Sequence, residues 1–256
     1  MIGWAMYGLQ IAIIVFFSLS IVSFFGMRIT SQLNETWLDG ISRDHFKSVR
    51  NLIGSLVAVG LGFMLITAKN NYDKKADELR LEASKIILLY RVLDGYGDKS
   101  LIAKQKIITA VDGQIALLKE ASVNKVNQKE AFKKAKIESF RETILSLSEV
   151  NKNEAWMKAT ALSLTQEITG LRWKIFTDLN PNIPSELLFF FFAMLIGIFF
   201  NMGLVSHFHW LAFVGLLTAS ASVSAAFFLI VEFDMPHQGF LTIPIQPLEN
   251  ALDMIK

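Results

Sequence analysis

Two hydrophobic patterns alternate along this chain. Four stretches, 4–25, 52–68, 187–205 and 210–231, are apolar all round, and none contains Asp, Glu, Lys, Arg or His. Each runs for about 17–22 residues, which at ~1.5 Å of helical rise per residue matches a hydrocarbon core of ~30 Å. A backbone inside lipid must close its own hydrogen bonds, so the four stretches predict transmembrane helices. Between the second and third stretches the apolar positions recur at helical spacing on charged backs. Leu79, Ala83, Ile86, Tyr90 and Leu93 form one such stripe, and Ile108, Val111, Ile115 and Leu118 a second. Phe140, Ile144 and Leu147 form a third, and Met157, Ala161, Leu164, Ile168, Leu171 and Ile175 a fourth. Four amphipathic helices of this kind can bury their stripes in a bundle, or against copies in neighbouring subunits.

The breaks fall between these patterns. Neither Gly nor Pro interrupts 68–93, so the second apolar stretch predicts a rod that continues into the polar region. Gly95-Tyr96-Gly97-Asp98 ends it. Asn180-Pro181-Asn182-Ile183-Pro184 separates the polar region from the third stretch, because a residue before proline is pushed out of the helical conformation. Three of the five prolines, Pro236, Pro244 and Pro247, follow Val231, which predicts an extended, turn-punctuated tail. The expected fold is an all-α membrane protein: four transmembrane helices in two hairpins with a cytoplasmic helical bundle inserted between them. The expected divisions are 1–68 for the first hairpin, 69–184 for the helical domain, 185–232 for the second hairpin and 233–256 for the Pro-rich tail.

Four crossings put both termini on the side of the insert. Near the membrane the insert carries Lys69, Lys74, Lys75, Arg80, Lys85, Arg172 and Lys174. The first opposite loop carries Arg28, Arg43, Lys47 and Arg50, and the second, 206–209, has no Lys or Arg. The bias places the insert and both termini in the cytoplasm. The first stretch is expected to be retained, since no positive n-region precedes it and no small-residue cleavage site follows.

The second stretch has two distinct faces. Gly54, Ala58 and Gly62 recur at i, i+4 and i+8, which lets another helix backbone approach. Roughly opposite lie Leu56, Val59 and Phe63, bulky and apolar. The fourth stretch is small and hydroxylic from Gly215 to Ala226, which suits tight packing or a polar water path. The third carries Phe189–Phe192, Phe199 and Phe200, bulk suited to lipid or an oligomer seam. Trp4, Tyr7 and Trp210 stand where interfacial aromatics belong. Glu232 and Asp234 fall at a helix C-terminus, where negative charge is disfavoured. Two explanations stay open for them. Asp234 accepts hydrogen bonds from the Pro-His-Gln-Gly turn or pairs with a base such as Lys69 or Lys74, or the two acids ring a pore mouth and draw cations.

Composition narrows the function. Of 256 residues, 19% are charged, below the ~25% usual for a soluble domain. A net charge of +2, with no basic cluster interleaved with aromatics, gives no reason to expect nucleic acid. The absence of cysteine removes disulfides, thiolate nucleophiles and thiolate-held metals. The histidines are His45, His207, His209 and His237, and His207-x-His209 reads as an interfacial pair or as a metal or pH sensor. The lysines at 133, 134 and 136 read as a solvated face. No P-loop, HExxH, GxSxG or GxGxxG pattern occurs, so neither an enzyme nor a cofactor is expected. No ionisable residue lies within a span, which argues against a proton-coupled carrier.

Two segments carry a resemblance. One is Asp234-Met-Pro236-His237-Gln238-Gly239 followed by Pro247-Leu248. The other is Gly62-Phe63, Tyr72-Asp73, Glu82-Ala83 and Tyr90-Arg91. Together with the layout of four apolar helices around a helical insert, they resemble the bestrophin-like domain family of bacterial membrane proteins, with His237 where the family usually has Phe. The sequon at 34–36 carries no meaning in a bacterial protein. The resemblance implies kinship to bestrophins, oligomeric and usually pentameric ion channels whose second helices line a narrow hydrophobic neck. It implies a place in the bacterial inner (plasma) membrane, with a lipid bilayer, identical subunits and permeant inorganic ions as partners. Carried onto this chain, the neck would be Leu56, Val59 and Phe63. No acidic cluster matches the calcium clasp of the calcium-responsive members.

The expected function is passive ion conduction by a homo-oligomer through a pore gated by a hydrophobic constriction. The alternative is a membrane-anchored scaffold or sensor whose cytoplasmic helical domain binds a protein partner.

Overall fold

The computed structural model describes residues 7–30, 40–121, 138–177, 183–206, 209–235 and 240–256. Trp4, the sequon, the 133–136 run, residues 180–182, His207 and the turn at 236–239 lie outside them. The regular elements are helices: α1 (Tyr7–Thr30), α2 (Gly40–Asp94), α3 (Leu101–Ala121), α4 (Glu138–Leu145), α5 (Lys152–Thr177), α6 (Ser185–Val205), α7 (Trp210–Asp234) and α8 (Gln246–Ile255). Four of them, α1, α2, α6 and α7, are long and apolar enough to cross a membrane. The chain divides into two compact units, one of residues 2–71 with 181–235 and one of residues 72–180 with 236–256.

In the apolar unit, α1 packs against α6 and α7. The contact with α6 is a backbone-to-backbone crossing. A Cβ at Gly26 would lie 2.7 Å from the Phe200 carbonyl and 3.0 Å from the Gly203 Cα, and a Cβ at Gly203 would run into the Ser23 carbonyl. Two helices can come this close only where neither carries a side chain. One turn further on, the Thr30 hydroxyl donates to the Leu204 carbonyl at 2.6 Å. Towards α7, the buried Ser224 hydroxyl donates across to the Ala12 carbonyl of α1. Ser220, also buried, donates to the Leu216 carbonyl of its own helix at 2.9 Å. The buried hydroxyls of α7 thus serve packing. On α6, Phe199 is buried and Phe192 meets Phe227 edge to face at 6.4 Å, while Phe189 and Phe190 stay exposed.

The second unit buries one face of the later turns of α2. Lys75, Leu79, Glu82, Ile86, Leu89 and Leu93 are all buried and alternate at spacings of four and three, the rhythm of a helix packed along its length. Ala103, Ile107 and Val111 of α3, Ile144 of α4, and Ala161 and Ile168 of α5 complete the core. Two of the α2 positions are charged. Glu82, fully buried, accepts from Arg172 Nε of α5 at 2.6 Å and from Gln114 Nε2 of α3 at 2.9 Å. Three helices are thereby pinned at one carboxylate. Burial pushes the Glu82 carboxyl above its ordinary range, against the opposing pull of the Arg172 charge and of the hydrogen bonds from Arg172 and Gln114.

Local signals set the helix ends. α2 stops at Asp94, where Gly97 takes φ +72°, a left-handed conformation natural to glycine. The buried Ser100 hydroxyl then caps the Leu93 carbonyl at 2.6 Å. α5 opens on a side-chain N-cap: Asn151 Oδ1 accepts from the Glu154 amide, and the Glu154 carboxylate accepts from the amide of Val150, one residue before the cap, both at 2.8 Å. The Lys99 ammonium, 3.0 Å from Glu154, and the bond from Val150 hold that carboxyl below its ordinary range.

The tail is irregular over 240–245, as its prolines predict, and departs from the extended form beyond that. Residues 246–255 form α8, which buries Leu248, Ala251, Leu252 and Ile255 against the core of the second unit and packs on α3. Pro247 is compatible because it stands in the first turn, where the missing N–H has no intrahelical partner to lose.

Two predictions follow from these contacts. Gly203→Val should destabilise the apolar unit by about 1–3 kcal/mol or more through overpacking, whereas Gly215→Ala, with open space around it, should be neutral or stabilising. Thermal unfolding of the two detergent-solubilised variants checks the contrast. Glu82→Leu should cost about 3–5 kcal/mol by stranding the Arg172 charge, and Glu82→Leu with Arg172→Met should recover most of it. Denaturant titrations of the singles and the double measure that recovery.

Candidate functional site: the outer faces of α2

Within the apolar unit, α2 presents three arcs. Val57, Leu61, Met64 and Ala68, at i, i+4, i+7 and i+11, are buried against α1, α6 and α7. The Phe191 ring of α6 lies directly over Gly60, where a Cβ would collide with it. This contact locks the inner face of α2 to α6. Gly60 belongs to no repeat, so its role is visible only once its partner is placed.

The bulky candidates lie on the far side. Leu56, Val59 and Phe63 are 60%, 58% and 66% exposed, and Leu52 and Ile66 extend their stripe at 65% and 57%. A five-residue apolar stripe is therefore left uncovered by its own protomer. Between the two arcs lie Gly54, Ala58 and Gly62. Nothing comes within 4 Å of a Cβ built at Gly54 or Gly62. The close approach that these small residues permit is not made inside the protomer.

The acidic candidates are placed differently. Glu232 and Asp234 are 1% and 5% exposed, so both carboxylates are enclosed in the protomer. Asp234 accepts from the Ile183 amide at 3.2 Å, tying the end of α7 to the segment that leads into α6. The Glu232 carboxylate fills the space above Gly8 of α1, 2.5 Å from where a Cβ would stand. Lys69, one of the bases considered as a partner for Asp234, sits over the Phe233 ring at 5.8 Å. Among the described residues no group of three or more His, Asp or Glu side chains is arranged to hold a metal.

Sequence reasoning missed Glu82, Gln114 and Arg172. The signal was present: Arg172 falls in the series 161, 165, 168, 172, 175, and Glu82 in the series 75, 79, 82, 86. A charged residue at a core position of a helical series marks a buried partner on another helix.

A family model for the bestrophin-like domain matches residues 12–248. No curated protein matches the chain. Among solved structures, two point mutants of a bacterial bestrophin homologue from Klebsiella pneumoniae share its fold at 14% identity. One superposes with TM-score 0.67 over 95% of this chain and 98% of its own, and the other with TM-score 0.69 over 97% and 98%. The matched region takes in all four long apolar helices apart from the first turns of α1, together with the helices between them, and this chain belongs to the bestrophin-like domain family.

Proposed function

We propose that this protein is an oligomeric ion channel of the bestrophin type, in which α2 from each identical subunit lines the pore. The observation that carries the reading is the uncovered stripe of Leu52, Leu56, Val59, Phe63 and Ile66 on a helix whose opposite face is fully packed. Leu56, Val59 and Phe63, repeated around an axis, form the hydrophobic neck. A ring of such side chains opposes permeation because water and hydrated ions find no polar partner there, and it conducts once it wets. Gly54, Ala58 and Gly62 lie beside this stripe and supply the room a neighbouring subunit needs. Conduction is passive, with no catalytic step and no cofactor. The assembly is a homo-oligomer, a pentamer as in bestrophins, set in the bacterial inner membrane with residues 69–184 and both termini in the cytoplasm. Glu232 and Asp234 act inside the protomer, as ties between helices.

A second reading rests on the other unit. Leu101, Ile102, Val150 and Trp156 are all more than half exposed. Such residues would suit a scaffold or sensor whose cytoplasmic helices bind a protein partner.

Flux through reconstituted liposomes separates the two. Phe63→Ser and Leu56→Ser should each raise ion flux severalfold over the wild type by wetting the neck. Unchanged flux from correctly inserted oligomers of both variants would sink the channel reading and leave the scaffold.

A further inference from the structure

The bare stripe of α2 reaches beyond the apolar stretch. Val49, Leu52, Leu56, Val59, Phe63 and Ile66 are all more than half exposed and alternate at spacings of three and four. One more step of four towards the start of the helix arrives at His45, and one more beyond Ile66 arrives at Asn70, both exposed. Alternating steps of three and four keep to one side of a helix. A single face of α2 therefore carries an imidazole, then six apolar side chains, then an amide.

The fixed charges at this end of the helix lie off that face. At ~100° per residue, Lys47 and Arg50 stand about 160° and 140° round the helix from His45. Lys47 pairs with Asp44 at 3.3 Å. His45 stands seven residues before Leu52, about 10 Å outside the apolar stretch at ~1.5 Å of rise per residue, where water reaches it. Within one protomer no metal site forms around it, since among the described residues no three His, Asp or Glu side chains are grouped to hold an ion.

On the reading that α2 lines the pore of a homo-oligomer, on which this site depends, a residue in register with Leu56, Val59 and Phe63 is repeated around the same axis. We propose that the His45 imidazoles of neighbouring subunits together bind a divalent transition-metal cation of the Zn2+ type at the pore mouth away from the helical insert, and that the bound ion blocks conduction. Imidazole nitrogen suits Zn2+, whereas Mg2+ demands oxygen ligands. Zinc sites in proteins take about three or four protein ligands. One subunit offers a single imidazole here, so the site is complete only between copies. An ion held there stands in the conduction path.

Calorimetric titration of the purified oligomer with Zn2+, alongside flux through reconstituted liposomes, tests this. The wild type should take up fewer Zn2+ ions than it has subunits, in one saturable step. Zn2+ should lower its ion flux severalfold, and Mg2+ should not. His45→Ala should remove both the uptake and the block, while His209→Ala, at the start of α7, should keep them. In a protein that passes no ions, Zn2+ uptake that His45→Ala removes still upholds the shared site, and only the channel reading falls. Uptake that His45→Ala leaves unchanged overturns the proposal whether or not the protein conducts. So does one Zn2+ per subunit, which marks an adventitious ion only, and so does wild-type flux that Zn2+ does not lower.

Discussion

The structure depends on one helix having to satisfy two environments with a single periodicity. α2 runs unbroken from Gly40 to Asp94 and contributes core residues to both compact units. In the apolar unit its buried positions are 57, 61, 64 and 68, and in the other they are 75, 79, 82, 86, 89 and 93. Both series step by fours and threes. Within each unit a helix with this rhythm offers one seam, and whatever packs on the seam leaves the opposite side bare. Where the backs are charged, the bare side is simply solvated. Where the bare side is Leu52, Leu56, Val59, Phe63 and Ile66, it needs lipid, a neighbouring subunit or a pore axis beside it.

Much of this was legible in the sequence. Uncharged stretches long enough to cross a bilayer have no soluble alternative, so the four apolar helices followed directly. The stop after Asp94 followed from the glycines at 95 and 97, and one of them does take the left-handed conformation. The separation of bulky from small residues on α2 could be read, but Gly54, Ala58 and Gly62 lie beside the Leu56, Val59 and Phe63 stripe and not opposite it, and that the stripe is uncovered is visible only in the fold. Three things could not be read in this way. Charges at core positions pass for solvated ones until their partners on other helices are known, which concealed Glu82 and Arg172. Leu171 reads as the stripe position that Arg172 occupies, because hydrophobicity outweighs register when one helix is read alone. The prolines after Val231 pointed to an extended tail, yet Pro247 falls at the one place in a helix where proline costs nothing.

The glycines show the same limit from another side. Gly54 and Gly62 stand in a regular repeat with Ala58 and have open space around them in the protomer, whereas the tight crossings use Gly26, Gly203 and Gly60, which belong to no repeat. A repeat says only that a face is small. A close contact needs two small surfaces at the same height on two helices, and that coincidence is a tertiary fact. Gly26 and Gly203 are separated by most of the chain, so nothing local links them.

The segregation of α2 also bears on which neighbour its outer side meets. A helix facing only lipid gains nothing from gathering its small residues on one arc and its bulky ones on the next, because acyl chains conform to either. α1 shows the lipid-compatible pattern: Ile13, Ile14, Phe17, Ile21, Phe24 and Phe25 are exposed over a broad arc with no small-residue sector among them. On α2 the glycine arc and the Leu–Val–Phe arc lie side by side, the first with open space above Gly54 and Gly62 and the second exposed. In a ring of identical helices, the lateral arc must admit a neighbour closely and the axial arc must present the same bulk from every subunit. One sequence pattern then meets both demands, which is why the channel reading explains the two faces together where a lipid-facing reading explains each only as an accident.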